Sequence, residues 1–336
     1  MLAIAGYLAL AAVATAVVWQ GSVRLEAAAE RLAAYYGVPA IIQGAIIAAI
    51  GSSFPELSSV VLAALVHNEF ELGVAAIVGS AIFNILVIPA AAALAGQGRL
   101  QSNRSLVYKE AQFYMLSVAV LLLTFSFAVI YYPVADGRLA GELTRPLVLL
   151  PLALYGLYIF IQYQDARDMR EEPDTGGVSQ LRVWGTLAVS LVVILVGVEG
   201  LVRAALGLGE AFGTPSFFWG LTVVAAGTSL PDAFVSVRAA QKDSDVTSLA
   251  NVLGSNVFDL LVAIPVGILL VGATAIDFGV AAPMMGALTI ATILLFGVMR
   301  TDLELTDREA YALLAAYAAF VGWMLLETFG VTGLVL

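Results

Sequence analysis

"VPAIIQGAIIAAIGSSFPEL", residues 38–57, returns 176 positions later as "TPSFFWGLTVVAAGTSLPDA", residues 214–233. Pro39, Gly44, Ala49, Gly51, Ser53 and Pro55 meet Pro215, Gly220, Ala225, Gly227, Ser229 and Pro231. Downstream, "VGSAIFNIL" at 78–86 matches "LGSNVFDLL" at 253–261 with an offset of 175, one residue having been lost between the matched segments. The chain is a duplication, and the period of the repeat constrains its fold more than any single motif does.

Both copies lie in long apolar runs. Of the 336 residues 61% are hydrophobic and 12% charged, with a mean hydropathy of +0.97; a soluble domain carries about a quarter charged residues. The composition is that of an all-α membrane protein. Stretches of about 20 apolar residues suffice to cross a bilayer. Ten are legible, at 2–19, 37–66, 72–95, 109–133, 145–163, 182–205, 213–242, 247–271, 275–299 and 309–329. No Lys or Arg precedes the first, so it lacks a signal peptide's basic opening and is expected to be a retained span. Arg24, Arg31, Arg99, Arg104, Lys109, Arg167, Arg170, Arg182, Arg238, Lys242, Arg300 and Arg308 fall in alternate connections, leaving Arg138, Arg145 and Arg203 for the other side. By the positive-inside rule both termini are expected outside a cell membrane.

Five spans per copy is an odd number, so the second copy enters the membrane in the opposite sense. Inverted repeats characterise secondary transporters, whose sites sit near the midplane where interrupted helices meet. The expected fold is ten transmembrane helices in two inverted five-helix repeats, 1–163 and 182–336, joined by a polar cytoplasmic linker at 164–181. The motif regions are 38–90 and 214–266, with helices 2 and 7 broken. The breaks are expected at proline: Pro55 and Pro231 have no N–H to give the carbonyls of Gly51 and Gly227. An orphan carbonyl in lipid costs several kcal/mol unless it faces protein, a polar cavity or a cation.

Each proline is followed at once by an acid, Glu56 and Asp232, and a third acid, Asp259, stands mid-span with Asn84 as its repeat counterpart. Ionisable groups at that depth are functional candidates by default. All basic residues are assigned to connections or span ends, so these acids need a partner from outside the chain. The chain has no cysteine and one histidine, His67, which excludes thiolate and histidine-rich metal sites. Carboxylate, amide, hydroxyl and freed carbonyl oxygens suit hard ions such as calcium, magnesium or sodium. Protons remain a second cargo, since close carboxylates raise one another's proton affinity. A net charge of −10 disfavours nucleic acid. With neither cysteine nor a mid-span histidine, no nucleophile–base pair is visible, so an enzyme is not expected. A channel is the other class, and it would need no counter-ion. His67, beside Asn68, Glu69 and Glu71, is expected to be solvated, Glu199 interfacial, and Tyr35-Tyr36 and Tyr131-Tyr132 to be belt residues.

"GSSFPEL" and "GTSLPDA", each followed by a GS-x-x-F-[N/D] segment, resemble the alpha repeats of the cation/calcium antiporter superfamily, specifically its sodium/calcium exchangers. The resemblance implies an antiporter carrying calcium and sodium, with no prosthetic group and no obligatory protein partner. Glu56 and Asp232 match the family's central acids; Ser53, Ser229, Ser80 and Ser255 match hydroxyls of flanking sodium sites; Asn84 and Asp259 match further ligands. Ser52 and Thr228 hold the motif's threonine position, and Ala49 and Ala225 match residues whose carbonyls are implicated in sodium binding. Asp232 departs from the glutamate usual in prokaryotic members, and Ala76 and Ala81 stand where many relatives have asparagine. The motifs are similar to the potassium-dependent branch, where the aspartate matching Asp259 is tied to potassium, so K+ is the alternative third cargo. The Gly-Asn-x-x-Glu core of proton-coupled exchangers is absent at both sites. The family moves its first and sixth spans across a fixed core.

Overall fold

The computed structural model describes residues 2–38, 49–96, 99–104, 106–135, 139–166, 179–242 and 244–332. The opening of the first motif at 39–48, most of the linker and the Ala49 side chain lie outside the described residues. The chain is helical almost throughout, because in lipid each backbone N–H and C=O must be satisfied within its own segment.

The first half begins with α1 (Leu2–Tyr35) and continues through a one-turn α2 (Ala49–Ser52), α3 (Phe54–His67) and α4 (Phe70–Ala95). A π-helical turn at Leu106–Ala111 leads into α5 (Gln112–Tyr131), and α6 (Leu149–Ala166) follows. The second half opens with α7 (Gln180–Phe212). Next come α8 (Ser216–Trp219), a π turn at Gly220–Val224 and α9 (Ala225–Gln241). After α10 (Asp245–Phe258), a π turn at Asp259–Ala263 and α11 (Ile264–Val271), the chain ends with α12 (Phe278–Arg300) and α13 (Asp307–Thr328).

Eight helical stretches among the described residues are long and apolar enough to cross a membrane. They are Leu2–Tyr35, Phe70–Ala95, Leu106–Tyr131, Gln180–Phe212, Ser216–Gln241, Asp245–Val271, Phe278–Arg300 and Asp307–Thr328, and Phe54–His67 is a shorter apolar helix. The protein is a multi-pass membrane protein.

Two short ribbons tie the halves together. β1 (Arg99–Gln101) and β4 (Glu304–Thr306) pair antiparallel, as do β2 (Ala140–Leu143) and β3 (Thr274–Asp277). Since α5 runs from the β1 side to the β2 side, the ribbons sit at opposite ends of the bundle.

The two motif helices behave differently. The first is interrupted at Ser53, a turn residue between α2 and α3, with Pro55 in the first turn of α3, where a missing N–H costs nothing. In the second, α9 runs through Pro231 without a break, correcting the expectation for helix 7. Its irregularity lies upstream, in the π turn at Gly220–Val224. A π turn takes up one extra residue inside a continuous helix and is frequent at functional sites.

Close approach explains two of the motif glycines. A methyl carbon on Gly79 of α4 would stand 2.1 Å from the Leu221 carbonyl oxygen, and one on Gly220 would stand 2.4 Å from that of Leu72. Small residues let membrane helices touch backbone to backbone, and here they press α4 against the π turn of the other half. α4 and the Asp245–Val271 stretch are buried for most of their length and form the centre of the molecule. In contrast α1 and α7 pair mainly with each other, through Gly21 against Ile194 and Gly197 against Val18, and expose most of their remaining surface.

Candidate ion-binding site

The interruption at Ser53 and the distortion before α9 aim two sets of polar side chains at the contact between the halves. Ser52, Ser53, Glu56, Ser80, Asn84, Thr228, Ser229, Asp232, Ser255 and Asp259 are all buried, none more than 1% exposed. So many polar groups in the apolar centre are tolerated only with partners.

Three of the hydrogen bonds join the two halves. Ser80 Oγ lies 2.7 Å from Ser229 Oγ, and Ser52 Oγ lies 2.8 Å from Ser255 Oγ. Ser53 Oγ donates to the Ser255 carbonyl at 3.3 Å. The pairs Ser80–Ser229 and Ser53–Ser255 join positions that are counterparts under the sequence repeat. Ser80 Oγ also donates to Glu56 Oε1 at 3.4 Å. Thr228 Oγ1 turns back to the carbonyls of Val224 and Ala225, at 3.1 and 3.2 Å. The Ala225 carbonyl, an expected ligand, is thereby engaged by its own helix.

The acids are held differently. Glu56 Oε2, both oxygens of Asp232 and both of Asp259 are buried without a hydrogen-bond partner. Ser80 and Thr228 stand near Glu56, Ser52 and Ser255 near Asp232, and Ser53 near Asp259. Glu56 and Asp232 lie within electrostatic reach of each other and of Asp259. Among the described residues no group of three carboxylate or imidazole side chains could hold a metal ion by itself. A cation here must complete its shell from hydroxyl, amide and main-chain oxygens, the donor set that hard ions take.

Two asparagines were missed by the sequence reading. Asn84 Nδ2 donates to Asn256 Oδ1 at 3.0 Å, and Asn256 Nδ2 donates to the Ala81 carbonyl at 3.2 Å. Asn251 Nδ2 is buried without a partner. Asn256 and Asn251 are the counterparts of Ala81 and Ala76, so the asparagines absent from the first half stand in the second. The repeat alignment carried that signal.

His67 is not simply solvated. Its Nε2 meets both carboxylate oxygens of Glu199 at 3.1 Å, and Arg203 Nε donates to Glu199 Oε1 at 2.6 Å. The contact ties the end of α3 to α7, which corrects the expectation of a solvated His67. An imidazole beside a carboxylate at a helix end is a pairing that apolar periodicity does not reveal.

A family model described as "Sodium/calcium exchanger protein" matches residues 6–164 and 182–326. The chain belongs to the sodium/calcium exchanger family. That family consists of transporters rather than enzymes, and this member is accordingly a membrane exchanger of cations and calcium. Among relatives, the Inner membrane protein YrbG of Escherichia coli is 29% identical over 252 residues, 72% of this chain and 73% of that protein. The Sodium/calcium exchanger MaX1 of Methanosarcina acetivorans is 29% identical over 136 residues, 40% of this chain and 39% of that one. A solved structure of the sodium-calcium exchanger NCX_Mj matches with a TM-score of 0.63 over 96% of this chain and 98% of that chain, at 24% identity. This last likeness shows that the exchanger shares its fold.

Proposed function

We propose that this exchanger swaps sodium for calcium by alternating access, and that both ions use one set of oxygens around Glu56 and Asp232. The observation that carries the proposal is the group of five buried carboxylate oxygens without partners, ringed by serine pairs that join the two halves. Two carboxylates balance one divalent ion, and the same charge is balanced by sodium ions spread over neighbouring hydroxyl sites. A site that cannot hold both cargoes at once exchanges them when only loaded forms interconvert. Glu56, Asp232, Asp259, Asn84, Ser53, Ser229, Ser80, Ser255, Ser52, Thr228 and the carbonyls of Ala49 and Ala225 are the proposed ligand set.

Within this proposal the architecture is ten spans in two inverted repeats, 1–163 and 182–336, around the linker at 164–181. Eight long apolar helices, the shorter α3 and the 18-residue α6 supply that number. The ribbons at opposite ends of the bundle are what an inverted twofold relation would produce. The α1–α7 pair, which packs mainly on itself, is the proposed moving unit. Charge alternation supports termini outside a cell membrane, and the E. coli relative is named an inner membrane protein.

The decisive experiment is calcium-45 uptake by sodium-loaded proteoliposomes diluted into sodium-free buffer, with potassium present or absent and with a proton-gradient control. Uptake driven by the sodium gradient is expected. Uptake that ignored sodium and followed protons would overturn the reading. Potassium dependence is the second reading, favoured by the third buried carboxylate, Asp259, beside Glu56; uptake that requires potassium would select it.

A further inference from the structure

Phe83 and Phe258 are counterparts under the sequence repeat, and each meets a tyrosine of an outer helix edge-on. Phe258 meets Tyr155 of α6 with ring centroids 5.8 Å apart, and Phe83 meets Tyr317 of α13 at 5.6 Å. Beyond that shared contact the two seams differ. In the first, Tyr158 packs on Phe113 of α5 at 4.9 Å, and Glu110 accepts from Tyr158 at 2.9 Å and from Gln162 at 2.8 Å, which closes α6 onto α5. In the second, Gly286 and Ala287 of α12 and Ala316 and Ala319 of α13 line a cleft of about 360 Å³. Ligand sites begin at about 300 Å³.

The cleft has a floor and an open side. Ile82 and Leu86 of α4, 0% and 2% exposed, form the floor. Residues two apart on a helix point about 200° away from each other, so this floor is the back of the helix face that carries Ser80 and Asn84. At the rim Ile290 is 62% and Leu294 43% exposed, and α12 and α13 leave most of their surface to the membrane. Trp323 and Pro283 mark the end of the cleft nearer the β2–β3 ribbon, and Leu294 and Ala316 lie deeper in the span.

One polar atom belongs to this apolar wall. Trp323 Nε1 is buried without a hydrogen-bond partner. Water does not answer it, because a buried water needs two to four polar partners and every other lining side chain is apolar. A helix of a second copy does not fit either: one turn, about 10 Å across and about 5.4 Å long, fills about 420 Å³, more than the whole cleft. Trp323 stands five residues before the end of α13, near the level at which tryptophan meets the boundary between hydrocarbon and headgroups. We propose that this cleft holds one chain of a bilayer lipid, and that the oxygen linking the chain to its headgroup accepts from Trp323 Nε1. The chain lies against the back of α4 and braces the helix that carries Ser80 and Asn84.

The test uses the full-length protein in detergent, and none of its readouts involves transport, so it stands or falls independently of the exchange reading. Trp19→Phe, Trp184→Phe and Trp219→Phe together leave Trp323 as the only tryptophan. Phosphatidylglycerol with brominated chains, which quench indole fluorescence on contact, is the probe. Quenching of Trp323 is expected to saturate at one lipid per protein, with native mass spectrometry showing a protein carrying one lipid. Gly286→Leu places a side chain where nothing lies within 4 Å and should abolish the saturating phase; Ala319→Leu fills the opposite wall if the first variant does not fold. In the otherwise wild-type chain, Trp323→Phe keeps an aromatic ring and removes the donor. The lipid concentration that half-saturates thermal stabilisation should then rise about threefold to tenfold, the worth of one hydrogen bond. Quenching that grows linearly with lipid, a saturating phase that survives filling of the cleft, or an unchanged half-saturation in Trp323→Phe would each overturn the proposal. So would a lipid-free dimer in the mass spectrum, which would give the cleft to a second copy of the chain.

Discussion

Ser80 and Ser229, 149 residues apart in the chain, bring their hydroxyl oxygens to 2.7 Å in the buried centre of the protein. One belongs to α4 of the first half and the other to α9 of the second, so this contact joins the two repeats at the site itself. It makes the proposed cation shell a property of the interface between halves.

Removing the Ser80 hydroxyl strands that of Ser229, at a cost of about 1–3 kcal/mol, whereas Ser80 keeps Glu56 Oε1 as a partner when Ser229 is cut back. Ser229→Ala and Ser80→Ala are each expected to raise the sodium concentration for half-maximal exchange several-fold. The double variant should fall well short of the summed effects, because the two changes remove one shared interaction. Sodium titration of calcium-45 uptake for the three variants checks this; strict additivity would dissolve the pair.

Glu56→Gln and Asp232→Asn keep side-chain shape and remove charge. Each is expected to lower calcium uptake below a tenth of wild type while leaving the protein folded, since a neutral amide is easier to bury than an unpaired carboxylate. Initial rates at saturating calcium, with a melting curve for each variant, test this, and wild-type uptake in both variants would remove the acids from the site.

Calcium should stabilise the folded exchanger by about 2.7 kcal/mol at a hundred times its dissociation constant, as any ligand of the native state alone does. Differential scanning of wild type and Glu56→Gln with and without calcium should show a rise in melting temperature in the first and little in the second. An equal rise in both would mean that calcium binds elsewhere.

The His67–Glu199 contact bridges α3 and α7. Since the chain has no cysteine, the double variant His67→Cys with Glu199→Cys introduces a single pair of thiols that a short thiol-specific cross-linker can join. If α7 moves against α3 during exchange, cross-linking should arrest calcium uptake. Uninterrupted transport by a fully cross-linked protein would show that this end of α7 stays fixed.

A side chain at Gly79 has nowhere to go, with the Leu221 carbonyl oxygen 2.1 Å from where its first carbon would sit. Gly79→Ala is expected to destabilise the protein by about 1–3 kcal/mol, the usual cost of overpacking. A thermal melt in detergent measures the loss, whereas Gly286→Ala, where nothing lies within 4 Å, should be close to neutral.

The sequence by itself determined that the chain crosses a membrane, that it is a duplication, and that Glu56, Asp232 and Asp259 stand deep in apolar spans. Hydropathy, motif spacing and the absence of basic residues mid-span are properties of linear order, and each has a direct cost in lipid that leaves little freedom. Tertiary structure alone decided which oxygens meet. Ser80 finds Ser229 and Asn84 finds Asn256 across the two halves. It also decided that Pro55 follows a true interruption while Pro231 sits inside a continuous helix with its irregularity moved to Gly220–Val224. Proline removes one N–H wherever it stands, but whether the helix breaks or absorbs the loss depends on what packs against it, and that is set by contacts between segments more than a hundred residues apart.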